Sequence, residues 1–335
     1  MGIYVGTSSW TDPTLVRDTD FYPPGASSAE ERLRYYASIF PVVEVDSTFY
    51  APPSPDVVRL WVERTPSVFR MEIKSYGLFT GHPVRPVTIW KDLRSDIPVE
   101  HQDKKNIYVG HLPHGLVDEA WARFDHALRP LHDAGKLGAV VFQWPPWFTA
   151  KRANRERLEG LRCRLPDYRI AVEFRHGSWL SEADRDRTLG LLEEHHLTYV
   201  CVDEPQGFKT SVPPVVAATT ADLAMVRFHG HNADNWQRKG ITAAERFRYL
   251  YDPEELQSWV APLKDLSARA GETHALMNNC YRDYGVRNAY QLGSLLGEGI
   301  QPGAPPWLEA PACEDGQMAP ASDRQAPDGD LPAPG

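Results

Sequence analysis

The sequence predicts a single (β/α)8 barrel. Three observations carry that reading: strand-like runs recur eight times, helical signals fall between most of them, and each strand alternates an apolar face with a polar one. The chain has 335 residues, 42% of them hydrophobic, which is ample for a large core. Barrels of this size commonly form one domain.

The runs are IYVGTS, VVEVDS, FRMEIK, GAVVFQ, RIAVEF, TYVCVD, AMVRFH and HALMNN. Ser28 with Glu31 forms a capping box ahead of RLRYYASIF, and Ser54-Pro55 places a cap before a proline at the first helical position. Ser181 with Asp184 is expected to open a helix through His195, and Asp252-Pro253 another to about Ala270. Two links depart from the pattern. Residues 77–117 form a long excursion after the third strand, with a helix expected only over 118–134. EPQGFKTSVPPVVAATT, after the sixth strand, carries too much proline for a helix. The barrel domain is placed at 1–299, and the Pro/Ala/Gly-rich stretch 300–335 reads as a disordered tail.

In AVEFRHGSW the apolar Val172 and Phe174 alternate with Glu173 and Arg175. One face of every barrel strand looks into the lumen and the other toward the helices. The helix-facing set is therefore expected to be Val43/Val45, Met71/Ile73, Val140/Phe142, Val172/Phe174, Val200/Val202 and Val226/Phe228. The lumen set is expected to be Gly6/Ser8, Glu44/Asp46, Glu72/Lys74, Val141/Gln143, Glu173/Arg175, Cys201/Asp203 and Arg227/His229, with Asn278 or Asn279 on the last strand. Glu44, Glu72, Glu173 and Arg227 form a deeper layer that reads as a structural salt-bridge network. The upper layer sits at the carboxyl ends of the strands, where barrel active sites lie. Trp10, Tyr50, Trp144, Trp147, Trp179 and Trp236 each follow a strand; they either cap the apolar interior or wall a ligand site.

A net charge of −9 argues against non-specific wrapping of nucleic acid. Neither a signal-peptide pattern nor an apolar run of membrane-spanning length is visible, and Cys163, Cys201, Cys280 and Cys313 lack paired or metal-like spacing. A cytoplasmic protein with reduced thiols is expected.

GTSSW, FYPPG, the YYASIF–VEVDSTFY pair, LGAVVFQWPPWF, AVEFRHGSW, VDEP, VRFHG and NNCYRDYGVRNA, in that order, resemble the YecE-like family, domain of unknown function 72, over roughly residues 2 to 297. The resemblance implies a TIM barrel whose activity is not established. It also implies a distant relationship, on fold grounds, to metal-dependent barrels such as endonuclease IV and sugar isomerases. Against the family pattern, the excursion is extended, and His231 stands where a basic residue such as arginine is expected.

Of the possible chemistries, metal binding by His82, His229, His231, Glu173, Asp46 and Asp203 is opposed by Lys74, Arg175 and Arg227 in the same lumen, and no HExxH spacing is present. No metal or cofactor is assigned. A phosphate loop and a nucleophile elbow are also absent. Acid-base chemistry remains, because carboxylates beside cations acquire divergent pKa values. The expectation is an enzyme (a hydrolase, lyase or isomerase) acting on a polar, anionic or polyhydroxylated small molecule. Asp46 and Asp203 are the acid/base candidates, with Glu173 holding Arg175. Lys74, Arg175 and His229 would bind the anionic group, and Ser8, Gln143 and Asn279 would orient the substrate against Trp10, Trp144 and Trp236. The alternatives are a metal-dependent phosphodiesterase or nuclease and a non-catalytic barrel that binds nucleic acid or protein.

Overall fold

The computed structural model describes residues 2–297, so the 300–335 segment lies outside the described residues. Eight parallel strands close into a barrel in sequence order: β1 (Gly2–Thr7), β2 (Val42–Val45), β3 (Arg70–Lys74), β4 (Leu137–Gln143), β5 (Ile170–Glu173), β6 (Thr198–Asp203), β7 (Leu223–Phe228) and β8 (Glu272–Met277). The (β/α)8 reading holds. Among the described residues no helix is long and apolar enough to cross a membrane.

Local chemistry sets the helix starts. Ser28 caps Ala29–Ile39 with its capping box complete, Ser54 caps Pro55–Glu63, and Asp252 with Glu255 caps Pro253–Arg269. The helix after β5 begins at Arg185, later than the Ser181 signal suggests, because the Ser181 carbonyl accepts from the Asp184 and Arg185 amides in a separate turn. No helix forms over 204–222.

The excursion is a packed layer. Val84 and Ile107 exchange backbone hydrogen bonds of 2.9 and 2.8 Å, and Ile89, Leu93, Ile97 and Leu112 are buried beneath short turns. Arg123 clamps Asp92 with contacts of 2.8 and 2.6 Å. The helix that follows spans His114–Asp133, starting four residues before the expected 118.

Partners in a parallel ladder share a face, so the pairing fixes the lumen rows. Glu44 pairs with Glu72, and Gln143 with Glu173, so these look inward as expected. β6 does not follow the expectation. Ala171 pairs with Thr198, and Val202 with Arg227, which places Val200 and Val202 in the lumen. Cys201 and Asp203 therefore face outward, with Cys201 Sγ 3.5 Å from the Ala217 carbonyl. Such a one-residue slip exchanges the two faces. On β8, Leu276 pairs with both Gly6 and Arg227, so Asn278 continues the lumen row and Asn279 the outer one.

Candidate active site at the carboxyl-terminal mouth

Arg227 is the hub of the upper lumen. It is fully buried, with Nη2 2.6 Å from Glu44 Oε1, Nη1 bonded to Glu173 Oε2, Gln143 Oε1 at 3.3 Å and Ser8 Oγ at 3.5 Å. Glu173 Oε1 lies 3.2 Å from both Arg175 Nη1 and His229 Nε2. The arginines and the imidazole outweigh the burial of Glu173 and hold its carboxyl well below the usual range. Of the two arginines, Glu44 meets only Arg227. Burial pushes the Glu44 carboxyl up to about 7, and its Oε2 has no hydrogen-bond partner among the described residues.

Above this hub the charges are less completely matched. Lys74 Nζ lies 2.5 Å from Asp46 Oδ1, and the Asp46 side chain is one-third exposed. Arg175 lies over the Trp236 ring at 4.9 Å, with Nη1 3.3 Å from Glu204 Oε2. Its Nε and Nη2 have no protein partner among the described residues. Glu204 Oε1 accepts from the Val212 amide at 2.8 Å, and burial raises this carboxyl to about 7. His229 is buried beside Arg175, Glu173 and Arg227; burial and the Arg175 charge lower it to about 3, so the ring is neutral. Asn278 Nδ2 donates to Nδ1 at 2.8 Å, which leaves the proton on Nε2, toward Glu173.

The structure thus gathers Ser8, Asp46, Lys74, Gln143, Glu173, Arg175, His229 and Trp236 around one mouth. It moves four of the candidates elsewhere. Asp203, on the outer face, accepts from Tyr251 Oη at 2.6 Å and lies 3.0 Å from His231 Nε2; Glu255 lies 3.1 Å from the other side of that ring. The two carboxylates hold His231 above its ordinary value. Asn279 donates to the Tyr249 carbonyl and Asn288 Oδ1, which makes it a tie between loops. Trp144 is buried in an aromatic stack, 3.9 Å from Phe148, with the Arg157 guanidinium 4.8 Å from its ring. Trp10 packs edge-on against Trp61 at 6.2 Å.

Sequence reasoning overlooked Glu204, which takes the place assigned to its neighbour Asp203. It also left His82 out of the binding set. That ring lies 4.9 Å from Phe49, and burial followed by the charges of Lys74 and Arg175 lowers it to about 4. Both signals were visible: a second acid in VDEP, and a histidine early in the excursion. Among the described residues no group of three or more His, Cys, Asp or Glu side chains is arranged to hold a metal ion.

Comparison with known proteins agrees with this architecture. The sequence pattern of the family described as "Protein of unknown function DUF72" matches residues 4–310. The UPF0759 protein YunF of Bacillus subtilis is 31% identical over 297 residues, covering 88% of this chain and 94% of that protein. YecE of Escherichia coli is 28% identical over 68% of this chain and 74% of its own length. A crystal structure of a DUF72 family protein from Thermotoga maritima superposes with a TM-score of 0.69 at 31% identity, covering 89% of this chain and all of that one. One from Enterococcus faecalis gives 0.71 at 25% identity, covering 88% of this chain and 96% of its own. With a family match across nearly the whole barrel, the chain belongs to the DUF72 family, the UPF0759 or YecE-like proteins, whose activity is not established.

Proposed function

We propose that the barrel is an enzyme that binds an anionic small molecule at its carboxyl-terminal mouth and works on it by general acid-base catalysis. The observation that carries this reading is the state of Arg175. Lying over Trp236 and tied through Nη1 to Glu173 and Glu204, it keeps two nitrogens without a partner among the described residues, beside a carboxyl of pKa about 7. A guanidinium offers paired donors suited to a carboxylate or phosphate, and Lys74 adds a second cation. Glu204, near half protonation at neutral pH, is suited to give or take a proton. Asp46 supplies a second, more exposed carboxyl on the opposite side of the strand order. Asp203 is not retained as the partner acid, since its carboxylate is engaged outside the barrel.

Two measurements test this. Phosphate, sulfate or citrate should raise the melting temperature of the wild type, and Arg175→Lys, which keeps the charge but not the fork, should lose about tenfold in affinity. A filtered small-molecule cell extract incubated with the protein in D2O should show one component altered or deuterated, and Glu204→Gln should leave it untouched. If no anion stabilises the protein, the binding reading fails. If anions bind but the extract is unchanged by wild type, the barrel is a binding protein and the catalytic reading fails.

A further inference from the structure

An aromatic arc lines the β2–β4 side of the mouth, beside its cations and carboxylates. Tyr50 follows β2 and Trp147 follows β4; their residues are 63% and 60% exposed, unusual for rings of that size. They are joined through half-buried intermediates. Tyr50 lies 5.3 Å from Phe49, Phe49 lies 4.9 Å from His82, and His82 lies 5.7 Å from Trp147. Lys74 Nζ, the same ammonium that pairs with Asp46, sits 5.0 Å over the Phe49 ring. The arc is therefore continuous with the charged mouth.

His82 gives the arc a polar character. We assign the Thr80 Oγ1 hydrogen to the Gly77 carbonyl at 3.1 Å, which makes that oxygen the acceptor in its 2.8 Å contact with His82 Nδ1. Nδ1 then carries the proton and Nε2 presents a lone pair, since burial and the charges of Lys74 and Arg175 keep the ring neutral. Nε2 has no protein partner among the described residues. An exposed indole beside an imidazole whose Nε2 can only accept, with an exposed phenol one ring further along the arc, suits a ring with outward hydroxyl donors and apolar C–H faces. A bare aryl group would use the rings and leave the acceptor idle, and an inorganic ion would use neither.

We infer that Tyr50, His82 and Trp147 form a subsite for a sugar ring, so that the molecule bound at the mouth is a sugar bearing a phosphate or carboxylate, with the anionic group on Lys74 and Arg175. This inference rests on the anion-binding part of the proposal above.

The test is calorimetric titration of wild type, Trp147→Ala, Tyr50→Ala and His82→Phe with inorganic phosphate, phenyl phosphate, and a panel of aldose and ketose phosphates and uronic acids. At least one sugar-borne anion should bind wild type about tenfold more tightly than inorganic phosphate and more tightly than phenyl phosphate. Trp147→Ala and Tyr50→Ala should erase the advantage over phosphate while leaving phosphate affinity unchanged. His82→Phe should erase only the advantage over phenyl phosphate. Both ring losses are at exposed positions, so the fold should survive them. Phosphate binding with no sugar preference, or a preference that survives Trp147→Ala and Tyr50→Ala, overturns the subsite and spares the anion site. Failure of every anion to bind overturns the anion site itself, and the subsite with it.

Discussion

His274 at the amino-terminal floor of the barrel lies between Glu72, 2.5 Å from Nδ1, and Glu272, 3.5 Å from Nε2, whereas His229 near the mouth shares its one carboxylate, Glu173, with Arg175 and Arg227. Both rings are fully buried, and burial disfavours charge on each. At the floor, two carboxylates overcome that cost and the imidazole pKa is raised; Arg70 and Arg169, at 2.9 and 2.5 Å from Glu272, complete the cluster. At the mouth the neighbouring arginines add to the cost, and the value falls to about 3. The floor closes its charges on one another, which holds strands together. The mouth keeps Arg175 donors without a protein partner among the described residues, beside a carboxyl, Glu204, that burial raises to about 7.

The largest expected effect is at the residue that joins the two arginines. Glu173→Gln leaves Arg227 with Glu44 alone and Arg175 with Glu204 alone. Breaking a buried pair in this way costs about 3–5 kcal/mol, which denaturant unfolding would register. A loss below about 1 kcal/mol would mean that Glu173 is not the keystone of the charge network around Arg227 and Arg175.

The histidines themselves should respond oppositely to pH. A lowered native pKa means that the stability from neutral His229 is present above the unfolded value of 6.5 and is lost as pH falls toward 3. A raised native pKa means that the stability from charged His274 is full below 6.5 and is lost as pH rises through its native value. Each proton contributes a slope of up to about 1.4 kcal/mol per pH unit within its window. His229→Gln should flatten the acid limb of the stability profile, and His274→Gln the limb above 6.5. NMR titration of the wild-type rings should show His274 charged beyond pH 6.5 and His229 neutral well below it. Parallel titration of the two rings would erase the contrast between floor and mouth.

Gly138 separates the two layers more finely. A Cβ there would stand 1.9 Å from Glu72 Oε1, so Gly138→Ala must push the carboxylate off His274. Overpacking of this kind costs about 1–3 kcal/mol. The His274 pKa should fall, while stabilisation by phosphate at the mouth should not change. A change in phosphate response would show that floor and mouth are coupled.

How far the sequence could reach is clearest on β6. Elsewhere a charge marked the inner face: Glu44, Glu72, Glu173 and Arg227 announce their own register. TYVCVD carries one charge, Asp203 at its end, and that charge lies on the outer face, while Val200, Cys201 and Val202 are all fit for burial on either side and all are buried. Only hydrogen bonding to β5 and β7 decides, and that is not written in a period-two pattern. The tryptophans failed for a similar reason. A ring after a strand is compatible with a rim, as for Trp147, or a stack, as for Trp144, and the sequence does not say which neighbours arrive. Helix caps were legible because the partners in a capping box are three residues apart, although at Ser181 a local turn delayed the start.

The smallest expected effect tests that register directly. Asp203 faces out of the barrel, where it accepts from Tyr251 Oη and meets His231. Asp203→Asn keeps an acceptor of the same shape and removes a charge that no ligand at the mouth would sense closely. The cost should be about 0.5–1.5 kcal/mol, the range for one hydrogen bond, because the amide oxygen can accept from only one of Tyr251 Oη and His231 Nε2. Phosphate should protect this variant as it protects the wild type, and activity on the component identified in the extract should persist. Glu204→Gln, one residue away, should keep the Val212 contact and the fold but lose activity, because an amide cannot exchange the proton. Comparison of the two neighbours removes most general effects of charge and position. Were Asp203→Asn to abolish the phosphate response while Glu204→Gln remained active, β6 would have to turn by one residue, and the acid would return to Asp203.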